Sequence, residues 1–154
     1  MIKKQILNLG KNFKRNKMWN DLEEFILELA IENSKKTGEK TKIVEIGVGR
    51  FQTISKNLSQ NENIELVMTD ISPANEDIIE DDVFNPNMSI YENADILFSI
   101  RPPAEIQDAI MKIRDKLDCT LIIKPLFNED LSIKTSKLKL KNYNRASFYI
   151  YLKE

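Results

Sequence analysis

Residues Glu45-Ile46-Gly47-Val48-Gly49 close an apolar run, and twenty-one residues after Gly49 a second apolar run ends on an acid, Asp70. A strand ending in a glycine-rich turn, followed by a strand ending in a carboxylate, is the sequence form of a nucleotide-binding half-fold. Glycine lets the backbone turn tightly and lets a ligand approach it closely, and a carboxylate accepts hydrogen bonds from ribose hydroxyls. The pairing commits this part of the chain to alternating strands and helices. It points to an adenosine-bearing small molecule as ligand.

The rest of the chain reads in the same alternation. Met18, Leu22, Phe25, Ile26 and Leu29 recur at helical spacing, with Trp19 extending their face, so residues 18–36 read as an amphipathic helix ending near Gly38. Lys42 to Ile46 is the first strand, Gln52 to Leu58 a short helix, and Ile64 to Thr69 the second strand. A weak third strand falls at Ile78-Ile79. Only eleven residues separate Asp70 from Asp82, too few for a crossover helix with its turns. Ala94 to Ile100 is a clear strand. Pro102-Pro103 then opens a helix with Ile106, Ile110, Ile113 and Leu117 on one face. Cys119 to Ile123 is a buried strand stopped by Pro125, and after a polar loop Lys137–Tyr143 and Ala146–Leu152 form a hairpin turning at Asn144-Arg145. The expected fold is α/β: a three-layer sandwich around a mostly parallel sheet, closed by a C-terminal antiparallel hairpin.

The chain has 154 residues, enough for one domain with a core; 18–154 read as that domain and 1–17 as a basic arm or short helix. The formal net charge of −1 conceals an uneven distribution. Residues 1–17 hold six bases (Lys3, Lys4, Lys11, Lys14, Arg15, Lys17) and no acid, residues 57–100 hold ten acids and no base, and residues 134–145 hold five bases and no acid. Such asymmetry suggests a polyanion such as RNA, met through residues 1–17 and 134–145; ordinary surface solvation is the competing explanation. Ile2, Ile6, Leu7, Leu9 and Phe13 also allow the arm to pack on the domain or on a second subunit. The single cysteine, Cys119, excludes an intramolecular disulfide and suits a cytoplasmic protein. The absence of histidine removes the commonest general base and metal ligand, so no metal site is expected. No apolar stretch approaches bilayer length, so no membrane partner is expected either.

With Glu45-x-Gly47-x-Gly49, Asp70, Asp82-Val83-Phe84 and a terminal hairpin, residues 40–152 resemble the class I S-adenosylmethionine-dependent methyltransferases. They also resemble a small archaeal uncharacterised family of the same Rossmann-like fold. The resemblance implies S-adenosylmethionine as cofactor, with Glu45 near its methionine part, Asp70 on its ribose, and Asp82 with Val83 at its adenine amino group. Independently, carboxylate acceptors suit ribose hydroxyls and an adenine amino group. An acidic surround suits a sulfonium, where a dinucleotide pyrophosphate would want donors or positive charge. Two departures stand out: Phe51 occupies the methyltransferases' third glycine position and Gln52 that of the dinucleotide pattern. Arg50-Phe51 is therefore bulky beside the expected ligand, either gripping a carboxylate or phosphate or filling part of the pocket.

Ser99-Ile100-Arg101-Pro102-Pro103 ends the fourth strand. Amino-methylating members of the resembled superfamily carry an Asp or Asn, two prolines and an aromatic there. This chain keeps Pro102 and Pro103, with Arg101 and Ala104 at the flanking positions. Arg101 is the candidate catalytic or substrate-contacting residue, gripping a carboxylate or phosphate in a bidentate fork. The following proline is expected to hold it extended, and an ion pair with the acids of residues 57–100 is the alternative. Lys124 is either support for an anion or simply exposed, and Cys119 a small core residue. Three functions follow in order: a methyltransferase acting on RNA or a small anion, a non-catalytic adenosine- or RNA-binding module of the same fold, and an NAD-dependent oxidoreductase.

Overall fold

The structure, a computed structural model, describes the backbone of residues 2–125, 131–133 and 135–154, and side chains among these from residue 17 onward. The side chains of the expected basic arm up to residue 16, and Lys134, lie outside the described residues. The long helix α1 runs over Ile2–Thr37, so the helix expected over 18–36 begins sixteen residues earlier. Leu22, Ile26 and Ala30 repeat every four residues and are all buried, which is the spacing that brings side chains to one helix face. The helix stops where Gly38 adopts φ +75° and its N–H returns to the Ser34 carbonyl at 2.9 Å, a left-handed glycine cap.

Strand β1 (Thr41–Ile46), helix α2 (Thr53–Ser59), strand β2 (Ile64–Asp70) and strand β3 (Ile78–Glu80) follow. Parallel strands ordinarily need a long crossover; β2 and β3 are joined by residues 71–77 alone. This works because β3 is three residues long and starts opposite Met68, two residues before β2 ends, so the chain has little distance to return. A one-turn helix, α3 (Met88–Tyr91), precedes β4 (Ile96–Ile100). The sequence does not announce α3, which has no repeating apolar face and rests on the Asn87 side chain accepting from the Ser89 N–H. Helix α4 (Ala104–Leu117), β5 (Thr120–Lys124), β6 (Lys139–Tyr143) and β7 (Ala146–Tyr151) complete the chain.

The seven strands lie in the order β3-β2-β1-β4-β5-β7-β6, all parallel except β7, which inserts antiparallel between β5 and β6. The architecture is the Rossmann-like sandwich expected from the sequence. Strand alternation divides the core into two layers. Ile43, Ile96, Phe98 and Ile122 face α1 and α2, while Val44, Ile46, Leu97, Leu121 and Ile123 face α4 and Tyr91. The strand order reverses between β1 and β4. In open α/β sheets, ligands bind outside the carboxyl ends of the strands at such a switch point.

Candidate ligand cavity

Beyond β1 the backbone turns through two left-handed glycines, Gly47 at φ +68° and Gly49 at φ +58°. A methyl group built on either would meet no atom within 4 Å, so backbone conformation and not crowding is what requires glycine there. The turn is pinned by the next strand. Gly47 N–H and Val48 N–H both donate to the Thr69 carbonyl, at 3.0 and 3.1 Å. Asp70 then accepts from Gly49 N–H on Oδ2 and from Ser72 N–H on Oδ1, both at 2.8 Å. The carboxylate thereby staples the glycine turn to the bend after β2, and each oxygen keeps a further lone pair for a ligand.

A cavity of about 260 Å³ opens at this place, just below the range of about 300–1,000 Å³ usual for small-molecule sites. Ile46, Thr69 and Ser99 line it from the ends of three adjacent strands. Asp70 and Ile71 form one side, and Asp82, Val83 and Phe84 another. Arg101, Pro102 and Pro103, with Ile106 of α4, complete it. Asp82 Oδ1 accepts from the Phe84 N–H at 2.9 Å; among the described residues Oδ2 accepts no hydrogen bond. Ile71 and Phe84 are 62% and 65% exposed, which is unusual for large apolar side chains beside one cavity.

Of the residues expected to hold a ligand, Gly47, Asp70, Asp82, Val83, Arg101, Pro102 and Pro103 line this cavity, and Glu45 and Gly49 do not. Glu45 lies on the opposite face of the sheet, 1% exposed. Its Oε1 accepts from Ser55 Oγ of α2 at 2.5 Å and its Oε2 has no partner. Burial pushes its carboxyl up to about 8, with the Asp70 charge adding to the rise and the Ser55 hydrogen bond opposing it. At neutral pH this side chain is a neutral acid. Phe51 also turns away: it packs on Trp19 of α1 with ring centroids 5.0 Å apart. Neither Arg50 nor Phe51 lines the cavity.

Arg101 departs from the extended conformation expected before a proline. Its φ is +53°, in the left-handed region, and its N–H donates to the Lys124 carbonyl at 2.6 Å. That bond carries the β4–β5 ladder one residue past β4 and then turns the chain sharply into Pro102. The guanidinium lies over the rings of Trp19 and Phe51, 5.5 and 5.9 Å from their centroids, and among the described residues it makes no ion pair. Lys124 is buried, donates from Nζ to the Ser147 carbonyl at 2.8 Å, and has its pKa lowered by desolvation, so it ties β5 to β7. Cys119 is fully buried, with burial pushing its thiol up to about 11, as fits a core residue.

Sequence reading missed Asp81. It is buried and lines the cavity, accepting from Asn87 N–H at 2.9 Å and from the Tyr91 hydroxyl at 2.6 Å. Burial and this carboxylate hold the Tyr91 phenol above its ordinary range. Its neighbour Asp82 carried the resemblance, and nothing in the sequence separates an acid that braces a loop from one that faces a cavity. Among the described residues no three His, Cys, Asp or Glu side chains gather as a metal site, and no helix is long and apolar enough to cross a membrane.

The model of an uncharacterised protein family, UPF0146, matches residues 24–153. A UPF0146 protein of Methanothermobacter thermautotrophicus is 42% identical over 137 residues, covering 89% of this chain and 97% of that protein. Another, from Methanocaldococcus jannaschii, is 42% identical over 142 residues, 85% of this chain and 94% of that one. Among solved structures, an S-adenosyl-L-methionine methyl transferase from Silicibacter pomeroyi aligns with a TM-score of 0.53, covering 91% of this chain and 94% of that chain at 14% identity. A likeness at that identity is one of fold. It agrees with the methyltransferase-like architecture expected from the sequence.

Proposed function

This chain belongs to the uncharacterised protein family UPF0146, and we propose that it binds S-adenosylmethionine in the cavity at the switch point of its sheet. The observation that carries the reading is the composition of the cavity wall. Besides Asp81, which is engaged by Asn87 and Tyr91, two carboxylates, Asp70 and Asp82, stand with two large exposed apolar side chains, Ile71 and Phe84, around one opening. A purine nucleoside matches that set: its flat ring covers the apolar surface, its ribose hydroxyls donate to Asp70, and its exocyclic amino group donates to Asp82 Oδ2. Gly47 leaves the backbone open to close approach. When bound, the cofactor supplies an electrophilic methyl group on a sulfonium. The chain's own contribution is to hold and orient, since methyl transfer to a reactive nucleophile depends mostly on alignment.

Thermal unfolding with S-adenosylmethionine, S-adenosylhomocysteine, NAD and ATP tests this. A ligand present at a hundredfold excess over its Kd adds about 2.7 kcal/mol of stability, which raises the melting point by several degrees. The expected pattern is a shift with the two S-adenosyl compounds that Asp70→Ala removes while the variant stays folded. No shift with either at millimolar concentration overturns the reading, and a preference for NAD replaces it with the oxidoreductase alternative.

A second reading, a non-catalytic module of the same fold, rests on Glu45 being turned to the opposite face, together with the resemblance given above, which implies a polar acceptor where Arg101 stands. Binding of S-adenosylhomocysteine without methyl transfer to any RNA in an extract supports it, and detected transfer ends it.

A further inference from the structure

Arg101 combines three features that the cavity reading leaves unexplained. Its backbone is held in the left-handed region immediately before two prolines, a sterically costly conformation for a side chain with a Cβ. Its guanidinium carbon lies 5.5 and 5.9 Å from the ring centres of Trp19 and Phe51, a cation–π contact that does not consume the N–H fork. It is exposed at the edge of the cavity and makes no ion pair among the described residues. An arginine presented in this way offers its N–H fork to a phosphate, and the rings beside it offer apolar surface to a base.

Its surroundings carry both signs, with Asp21, Glu24 and Glu28 of α1 close to Tyr143 and Arg145 at the hairpin turn. The hairpin turn Asn144-Arg145 lies at the same carboxyl end of the sheet, because β7 begins there antiparallel to β5. Arg145 N–H donates to Asp21 Oδ2 at 3.0 Å, which places the turn two positions along α1 from Trp19. From Trp19, α1 continues toward its start through the segment whose sequence holds six bases and no acid. Seventeen helical residues extend about 25 Å, the reach of several nucleotides. Of the ten acids of residues 57–100, Asp70, Asp81 and Asp82 line the cavity, while Glu92 and Asp95 lie at the opposite end of the sheet beside Lys42.

We propose that this rim is a binding site for a single-stranded nucleic acid, with the Arg101–Trp19–Phe51 stack as its contact nearest the cavity. As the identity of a substrate class it rests on the cofactor reading above; as a binding surface it stands without it. The phosphodiester chemistry is shared by RNA and DNA, so both belong in the test.

Trp19 is the only tryptophan, so its emission reports on the stack directly. A mixed-sequence oligoribonucleotide of about twelve nucleotides, titrated at low salt, is expected to change that emission saturably, with affinity falling steeply as salt rises. Arg101→Gln should weaken binding about tenfold and abolish the emission change, and Arg101→Lys should restore the salt-dependent part alone. Circular dichroism confirms that each variant is folded. Equal binding of the matching oligodeoxyribonucleotide supports a phosphate-and-base site; tighter binding of RNA supports the same site with a contact to the 2′-hydroxyl. No saturable binding, Arg101→Gln within twofold of wild type, duplex binding as tight as single-stranded, or the same emission change with inorganic phosphate each overturns the proposal. Calorimetry with S-adenosylhomocysteine on the same preparations separates the two readings. Cofactor binding without oligonucleotide binding removes this one and leaves the cavity, and the reverse removes the cavity reading and leaves this one.

Discussion

The two faces of the sheet at the end of β1 treat adjacent residues in opposite ways. On the α1–α2 face, Glu45 is sealed beside Ser55 over a layer of fully buried side chains. On the other face, its neighbour Ile46 lies at an open cavity edged by carboxylates and exposed apolar groups. The glycine signature reads as one unit along the chain, yet the pleat sends its acid into the core and, of its two glycines, only Gly47 lines the cavity. A carboxyl on the closed face is kept neutral because water is excluded. On the open face, Asp70 and Asp82 hold backbone N–H groups and face a cavity that water reaches. Residue type alone does not set the role of an acid; the solvent on its side of the sheet does.

Substitutions on the two faces should therefore have different signatures. The largest loss of stability is expected for Phe148→Ala in the closed layer, where the ring is fully buried and packs 4.9 Å from Phe25. Urea unfolding should show about 3–5 kcal/mol lost. A loss below about 1 kcal/mol would mean that this face is not closed.

Glu45→Gln sharpens the comparison through pH. Because the folded carboxyl titrates near 8 and an ordinary one near 4.5, the folded state binds the proton more tightly. Its stabilising contribution is complete below about pH 4.5, declines between 4.5 and 8, and is gone above 8, with a slope of up to about 1.4 kcal/mol per pH unit. The glutamine variant stays neutral and should lose that slope, so its stability relative to wild type rises from pH 5 to pH 8. Parallel stability–pH curves for the two proteins would show that Glu45 is ionised in the fold.

On the open face the readout moves to binding. Asp70→Ala should weaken S-adenosylhomocysteine by roughly tenfold to a hundredfold, because it removes a charged acceptor and unpins the turn at Gly49. Gly47→Ala should cost about 1 kcal/mol of stability, the strain of a left-handed alanine, with no steric collapse. Phe84→Ala should leave stability within about 0.5 kcal/mol, since the ring is mostly exposed, while weakening the ligand severalfold. A stability loss at Phe84 as large as at Phe148 would erase the distinction between the faces.

Much of this molecule is legible in its sequence, for local reasons. The buried strands β1, β4 and β5 are short apolar runs between turn residues, and α4 repeats its isoleucines at helical spacing; both patterns are periodic and survive any tertiary context. Asp70 is legible because a strand terminus is a fixed place in an open sheet. The sequence left residues 1–17 as either an arm or a short helix, and α1 runs back to Ile2 without a break; the one-turn α3 and the bracing role of Asp81 carry no such pattern.

What remains is decided by which groups meet in space. Phe51 at a glycine position reads as an obstruction until Trp19, thirty-two positions earlier in the chain, draws it onto α1 and away from the cavity. Arg101 reads as an extended residue before proline until the Lys124 carbonyl fixes its N–H and turns its φ positive. Glu45 reads as a ligand until burial beside Ser55 makes it a neutral core group. The sequence by itself determined the order of the strands and of every helix but α3, the glycine turn and the acid that pins it, because these depend on backbone preference and on periodicity along the chain. The tertiary structure alone decided which face each functional side chain serves, because solvent access and the partners of a long side chain come from strands and helices far apart in the sequence.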